Sequence, residues 1–276
     1  MMLNKFLPVF VVDCTSHIRK LSGLTGNYGI LAPFTCYDKL LHQIREINQP
    51  LFIDSGVFEK QNCPWYYQLK SYFSDGRWQR KLCLADEAKL REKIRHYLDR
   101  CSQFNPDYIF APDIIGEPLL SLYLARITWE EYYEKSRNYQ LIGVVQVGYN
   151  LYNYSKQNLP SKDNFLPHYR SSKSFLVSLI SEYKNIGYQY LALGGLLKFV
   201  DTAPMGLKFG LSPKELDELI AWSRPNFVLG GLALTRVEVL KKHNVSADSS
   251  NWLWWDAKYC ERRFGQRNVL QELVKY

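Results

Sequence analysis

No stretch of this sequence approaches the ~20 consecutive apolar residues that a membrane-spanning helix requires, so no membrane partner is expected. The opening segment MMLNKFLPVFVVDC resembles a secretory leader only superficially. Its apolar run is short, contains Pro8 and ends in Asp13 without a small-residue cleavage site, so it reads as a first strand. The six cysteines (Cys14, Cys36, Cys63, Cys83, Cys101 and Cys260) form no CxxC pair and read as lying away from any histidine at ligand spacing. A structural zinc is therefore not expected. Thiols scattered through a chain too large to need staples suggest a reducing, cytoplasmic setting. Internal repeats, low-complexity tracts and linkers are also lacking, which points to a single domain spanning residues 1–276.

What the sequence does have is apolar residues and positive charge. Apolar residues make up 46% of the 276 and charged residues 22%, which suits one sizeable core. Lys and Arg number 35 against 27 Asp and Glu, and the net charge of +8 favours a polyanionic partner such as nucleic acid. The 20 Tyr and 7 Trp include candidates for base-stacking platforms, although most should be core or rim.

Short apolar runs alternate with longer amphipathic ones. FLPVFVVD, YGILAPF, PLFID, DYIFAPD, LIGVVQVG, YQYLALGGL, NFVLGGLA and VSADSS read as strands, and most are continuously apolar, as in parallel strands buried on both faces. Between them, CYDKLLHQIREI, DEAKLREKIRHYLDRC, EPLLSLYLARITWEEYYEKS, SKSFLVSLISEYKNI, SPKELDELIAWS and LTRVEVLKKH read as helices. In SPKELDELI, Ser212 is the N-cap, Pro213 the first helical residue and Glu215 completes a capping box. About eight strands alternating with helices predict a (β/α)8 barrel of the TIM type, with a doubly wound sheet as the alternative. Two stretches, KQNCPWYYQLKSYFSDGRWQRKL and YNLYNYSKQNLPSKDNFLPHYRSS, interrupt the alternation as long aromatic and basic loops. Arg77, Arg80 and Lys81 in the first are candidates to grip nucleic acid.

Polar residues recur where the strands end. LFID ends in Asp54, followed by Ser55; IFAPD ends in Asp113, GVVQ in Gln146, LALGGL in Gly194, Gly195 and Leu196, and SAD in Asp248. A barrel would gather them at one mouth, the end that carries active sites in this architecture. Carboxylates accept from ring N–H and amino groups and an amide can donate to a carbonyl, which suits a guanine-like base edge. Two of the acids could serve as nucleophile and proton carrier. Singly, each residue has an ordinary use: a turn or cap at Asp54 and Asp113, a backbone contact at Gln146, close packing at the glycines and an Asx-turn at Asp248. WLWW reads as buried wall and Arg262, Arg263 and Arg267 as a solvated face. His17 and His168 are assigned no catalytic role.

These motifs carry a resemblance. DSGVF is similar to the DSGGF motif of tRNA-guanine transglycosylases, GVVQVG to their GIVQGG and LALGGL to their AIGGL. The segment FVLGGLALTRVEVLKKHNVSADSSNW resembles their last two barrel strands, its ADSS being closer to the archaeal FDSAS than to the bacterial FDCVLPTR. The motifs run from Leu51 to Trp252 in family order. Val57 and Val147 replace second glycines, the CxCxxC and distant His that bind zinc are missing, and the C-terminal region is too short for appended tRNA-binding domains. The chain therefore most resembles the zinc-less DpdA family, which exchanges guanine in DNA for a 7-deazaguanine such as preQ0 (7-cyano-7-deazaguanine).

The resemblance implies Asp248 as nucleophile, Asp54 as proton shuttle, and base recognition by Asp113, Gln146, the Gly195 amide and the Leu196 backbone, with Gly194 and Ser55 close by. It implies no metal or redox cofactor and a nucleic-acid substrate, DNA before tRNA, with room for an additional protein partner. Two alternatives stay open: the same chemistry on tRNA, and a non-catalytic nucleic-acid-binding paralogue.

Overall fold

The computed structural model describes residues 3, 5–55, 67–74, 77–84, 86–114, 118–135, 137–147, 173–199, 207–249, 252 and 269–275; of 67–74, 77–84, 173–174, 197–199, 207–209, 269 and 272 it describes the backbone alone. Eight parallel strands close into a barrel in the order β1 (Pro8–Val11), β12 (Ser246–Ser249), β11 (Phe227–Val228), β8 (Tyr190–Gly194), β7 (Gln140–Gln146), β6 (Tyr108–Phe110), β3 (Leu51–Asp54) and β2 (Gly29–Pro33). These are the eight expected strands, and the (β/α)8 architecture stands over the doubly wound alternative. The six expected helices are present as α2 (Asp38–Arg45), α3 (Glu87–Ser102), α4 (Pro118–Tyr133), α5 (Lys173–Ile186), α6 (Pro213–Ser223) and α7 (Val237–His243). The Ser212 capping box at α6 forms as read, with its hydroxyl accepting from the Glu215 N–H and the Glu215 carboxylate accepting from the Ser212 N–H. Two short helices escaped the sequence reading, α1 (Thr15–Leu21) and α8 (Val269–Leu273); α1 buries only Leu21 and so carries no apolar stripe to read.

Strand alternation divides the core in two. One set of residues, including Phe10, Ile53, Ile109, Val145, Leu193, Val228 and Ala247, packs outward against the helices. The other set, Val9, Leu31, Phe52, Tyr108, Phe110, Ile142, Val144, Ala192 and Phe227, fills the barrel interior, with Leu3 and Leu7 packed into the same cluster. Phe52 stacks on Tyr108 at 4.8 Å, and Phe110 meets Phe227 edge-on at 5.1 Å. Aromatic side chains thus make a solid floor.

The first expected loop contains an antiparallel hairpin, β4 (Tyr67–Ser74) with β5 (Arg77–Leu84). Ser74 pairs with Arg77, which leaves Asp-Gly between them, the dipeptide that best supports a two-residue hairpin connection. A second, smaller hairpin joins β9 (Leu197–Phe199) to β10 (Leu207–Phe209) directly after β8. The other long stretch, residues 149–172, lies outside the described residues. No helix among the described residues is long and apolar enough to cross a membrane.

Candidate active site

Alternation also decides what the barrel mouth contains. On β3, β7 and β8 the interior residues Phe52, Val144 and Ala192 are each followed two positions later by Asp54, Gln146 and Gly194. On β12, Ala247 faces the helices, so Ser246 and Asp248 share the inward row. Three strands therefore end their inward row in a group that can ionise or hydrogen-bond, directly above the aromatic floor.

Asp113 arrives by a different route. β6 stops at Phe110, and Pro112 has no N–H to continue a ladder. Two buried tyrosines bond the strand carbonyls beside this early exit. Tyr97 donates to the Phe110 carbonyl at 2.8 Å, and Tyr183 donates to the Val144 carbonyl at 2.6 Å. The departing chain carries Asp113 to a buried position where its Oδ2 accepts from Gln146 Nε2. That contact depends on Gly194, which pairs with Gln146 across β7 and β8. A Cβ on Gly194 would stand 2.6 Å from Gln146 Nε2, well inside contact distance.

Asp248 is held from the neighbouring strand. Gly230, in the left-handed region at φ 65°, turns its N–H to donate to Asp248 Oδ1 at 2.8 Å. A side chain at that φ would be strained, so the glycine has a geometric reason. The Leu232 N–H donates to the Asp248 carbonyl at 3.0 Å and closes the same turn.

The electrostatics tie the three acids together. Burial pushes Asp113 well above the ordinary carboxylate value; the charge of Asp54 adds to this, and the Gln146 amide opposes it. Burial raises Asp248 to about 7, against the lowering pull of the Gly230 N–H and with a further push from Asp54. Asp54 lies within electrostatic reach of both, so one mouth contains two carboxyls biased toward the neutral form and a third whose charge biases them. Perturbed acids converging on a concave end are what catalytic proton transfer and covalent attack require.

The remaining candidates fall out as follows. Ser55 is 1% exposed beside Asp54. Gly195 adopts φ 70° and turns the chain out of β8. Leu196 packs its side chain into the outer core while its carbonyl accepts from the Gly210 N–H at 2.7 Å, so only its backbone belongs to the mouth. Arg77, Arg80 and Lys81 lie on β5, where the backbone is described and the side chains are outside the described residues. Gly230, Tyr97 and Tyr183 were missed. For Gly230 a signal existed, because LGGL occurs at residues 193–196 and again at 229–232.

The reading that no cysteine lies near a histidine at ligand spacing needs correction at Cys14, three residues before His17. Asp13, Cys14 and His17 bring three potential ligand atoms within 4.8 Å of one another on the β1–α1 turn. Asp13 and His17 already pair with each other at 3.0 Å, and Trp252 packs edge-on to His17 at 5.9 Å. A metal could use this trio only by displacing that pair.

No protein-family model matches the chain, and no curated protein matches it.

Proposed function

We propose that this chain is a base-exchanging transglycosylase that replaces guanine in nucleic acid, DNA in preference to RNA, with a 7-deazaguanine such as preQ0. The observation that carries the reading is the pairing of two buried acids of different character at one mouth: Asp248, fixed by a backbone N–H, and Asp113, bonded to Gln146. The motif resemblance supports the same assignment.

In this mechanism Asp248 first passes its proton to the charged Asp54, and the ionised Asp248 then attacks the anomeric carbon through Oδ2, the oxygen not engaged by Gly230. The C1′–N9 bond breaks as Asp54 gives its proton to the departing guanine, leaving a sugar–Asp248 ester. Asp54 then takes the N9 proton of the incoming deazaguanine, whose nitrogen attacks C1′ and expels the Asp248 carboxylate. Splitting one difficult substitution into two is the logic of retaining glycosidases. Asp113 accepts from the ring N–H and amino group, becoming charged as those donors replace lost solvation, and Gln146 uses its second amide hydrogen for the base carbonyl. The Gly195 amide, the Leu196 backbone, Gly194 and Ser55 line the base edge. The target base must leave its stack to reach this pocket.

The test is incubation with duplex DNA, single-stranded DNA and tRNA, each with labelled guanine or preQ0, scoring label in the polymer. Label in DNA supports the reading. Label confined to tRNA moves the activity to RNA, and no label in any polymer, despite binding, leaves a non-catalytic paralogue.

A further inference from the structure

Asp248 is gripped twice by one turn on the neighbouring strand. The Gly230 N–H holds its side chain and the Leu232 N–H holds its carbonyl. β11 ends at Val228 and the chain turns at once, with the Gly231 N–H donating to the Val228 carbonyl at 3.2 Å. A Cβ on Gly231 would stand 2.5 Å from the Val228 side chain, so the turn is tightly closed. Its remaining carbonyl is held by a side chain. Arg236 Nε donates to the Gly231 carbonyl at 2.8 Å.

That carbonyl and the Leu232 N–H belong to one peptide group. A continuous chain of bonds therefore runs from the Arg236 guanidinium, through the 231–232 peptide, to the Asp248 backbone. Hydrogen bonds in series polarise one another, and a charged donor at the head strengthens those that follow. Arg236 is itself fixed locally: its N–H donates to the Ala233 carbonyl at 2.8 Å, and α7, which starts directly after it, buries Val237 and Leu240. Burial of the guanidinium lowers it to about 10, which leaves it charged at neutral pH. The first LGGL copy manages with less, since the Leu196 carbonyl accepts from a backbone N–H, that of Gly210. We infer that Arg236 is a positioning residue for the nucleophile: it locks the Gly230–Leu232 turn and so aims Oδ2 of Asp248 into the mouth. This rests on the reading of Asp248 as nucleophile. The base-reading groups Asp113 and Gln146 follow β6 and β7, which β8 separates from β11, so Arg236 acts on the attacking group and not on base recognition.

The experiment titrates the Asp248 carboxyl in the full chain by carbon NMR, its signal identified by its loss in Asp248→Asn. Asp54, the acid whose charge acts on Asp248, is present in every variant compared. Arg236→Met keeps a long apolar stem and removes the donor. The loosened turn should weaken the Gly230 bond, which holds the carboxyl down, and move its titration up by about one pH unit, the size of one charge-assisted hydrogen bond. Arg236→Lys, which can still donate to the Gly231 carbonyl, should titrate like the parent. In base exchange, Arg236→Met should lower kcat roughly 10–100-fold and leave the KM for the incoming base unchanged. If Arg236→Met does not fold, Arg236→Gln is titrated in its place and the same outcomes decide. An unchanged titration, with a stability loss equal at every pH, would make Arg236 merely structural and overturn the inference. A titration that moves as far in Arg236→Lys as in Arg236→Met overturns it too, because packing and not the donor would then hold the turn. A shifted titration in a chain whose parent exchanges no base would keep Arg236 and discard the transglycosylase, whereas base exchange untouched by Arg236→Met would do the reverse.

Discussion

Replacing Asp248 by Asn should make the protein more stable at pH 8 and no more stable at pH 4. Asp248 is 7% exposed and its carboxyl is raised to about 7 from an ordinary 3.8. A folded-state value above the unfolded one means that the folded chain binds the extra proton between those two values. The stability it contributes is therefore complete below 3.8 and lost as pH rises through about 7. At about 1.4 kcal/mol per pH unit, the loss is about 4 kcal/mol by pH 8. Asn mimics the protonated acid at every pH, and its Oδ1 can still accept from the Gly230 N–H. The variant should match the parent near pH 4, gain progressively to pH 7, and melt roughly 8 °C higher at pH 8, at roughly 2 °C per kcal/mol for a chain of this size. Thermal melts at pH 4, 6 and 8 read it directly. A variant that melts lower than the parent at pH 8, or by the same margin at all three pH values, would show that Asp248 is held charged by a cation or by solvent. The account of the mouth would then be wrong.

The same variant should keep nucleic-acid binding yet form no covalent adduct and release no guanine. Asp54→Asn should lose only the ~10²–10⁴-fold that proton transfer contributes. In that variant the adduct should stay trappable, as read by intact mass; adduct formed by Asp248→Asn but not by Asp54→Asn would exchange the two roles. Gly194→Ala pushes a methyl against the Gln146 amide and should cost about 1–3 kcal/mol. It should also raise the KM for the incoming base, and unchanged base affinity would remove Gln146 from recognition. The purified protein should hold no stoichiometric zinc, because the one three-ligand cluster among the described residues, Asp13–Cys14–His17, is exposed at Asp13 and already internally paired; elemental analysis finding about one tightly held zinc per chain would refute this.

The barrel was legible because continuous apolar runs such as LIGVVQ have no stable place except between two buried faces. Asp54, Gln146 and Asp248 were legible as strand-end interruptions of those runs, and Asp113 as the end of IFAPD. The partners that make them a site were not. The Gly230 N–H reaches Asp248 only through a left-handed turn on the neighbouring strand, 18 residues earlier in the chain. Tyr97 and Tyr183 read as ordinary apolar positions of α3 and α5, since nothing local marks a hydroxyl aimed at a carbonyl on another element. The first hairpin was read as a loop because its alternation is dominated by aromatic and basic residues, although Asp75-Gly76 announced it, and the second, with only three residues in each strand, was not read at all.

The ring-filled interior beneath the acids also bears on timing. Phe52, Tyr108, Phe110 and Phe227 seal the barrel from below, so whatever enters the pocket has one door, and it must leave by the same door. Under the proposed exchange, the outgoing guanine and its replacement cannot pass through in single file from opposite sides. The first must clear the threshold while the polymer stays tethered to Asp248, and the enzyme must tolerate an emptied pocket at that moment. Initial rates at several fixed concentrations of the incoming base should then trace parallel lines in double-reciprocal form, and guanine added to the medium should compete with the newcomer for the vacated space.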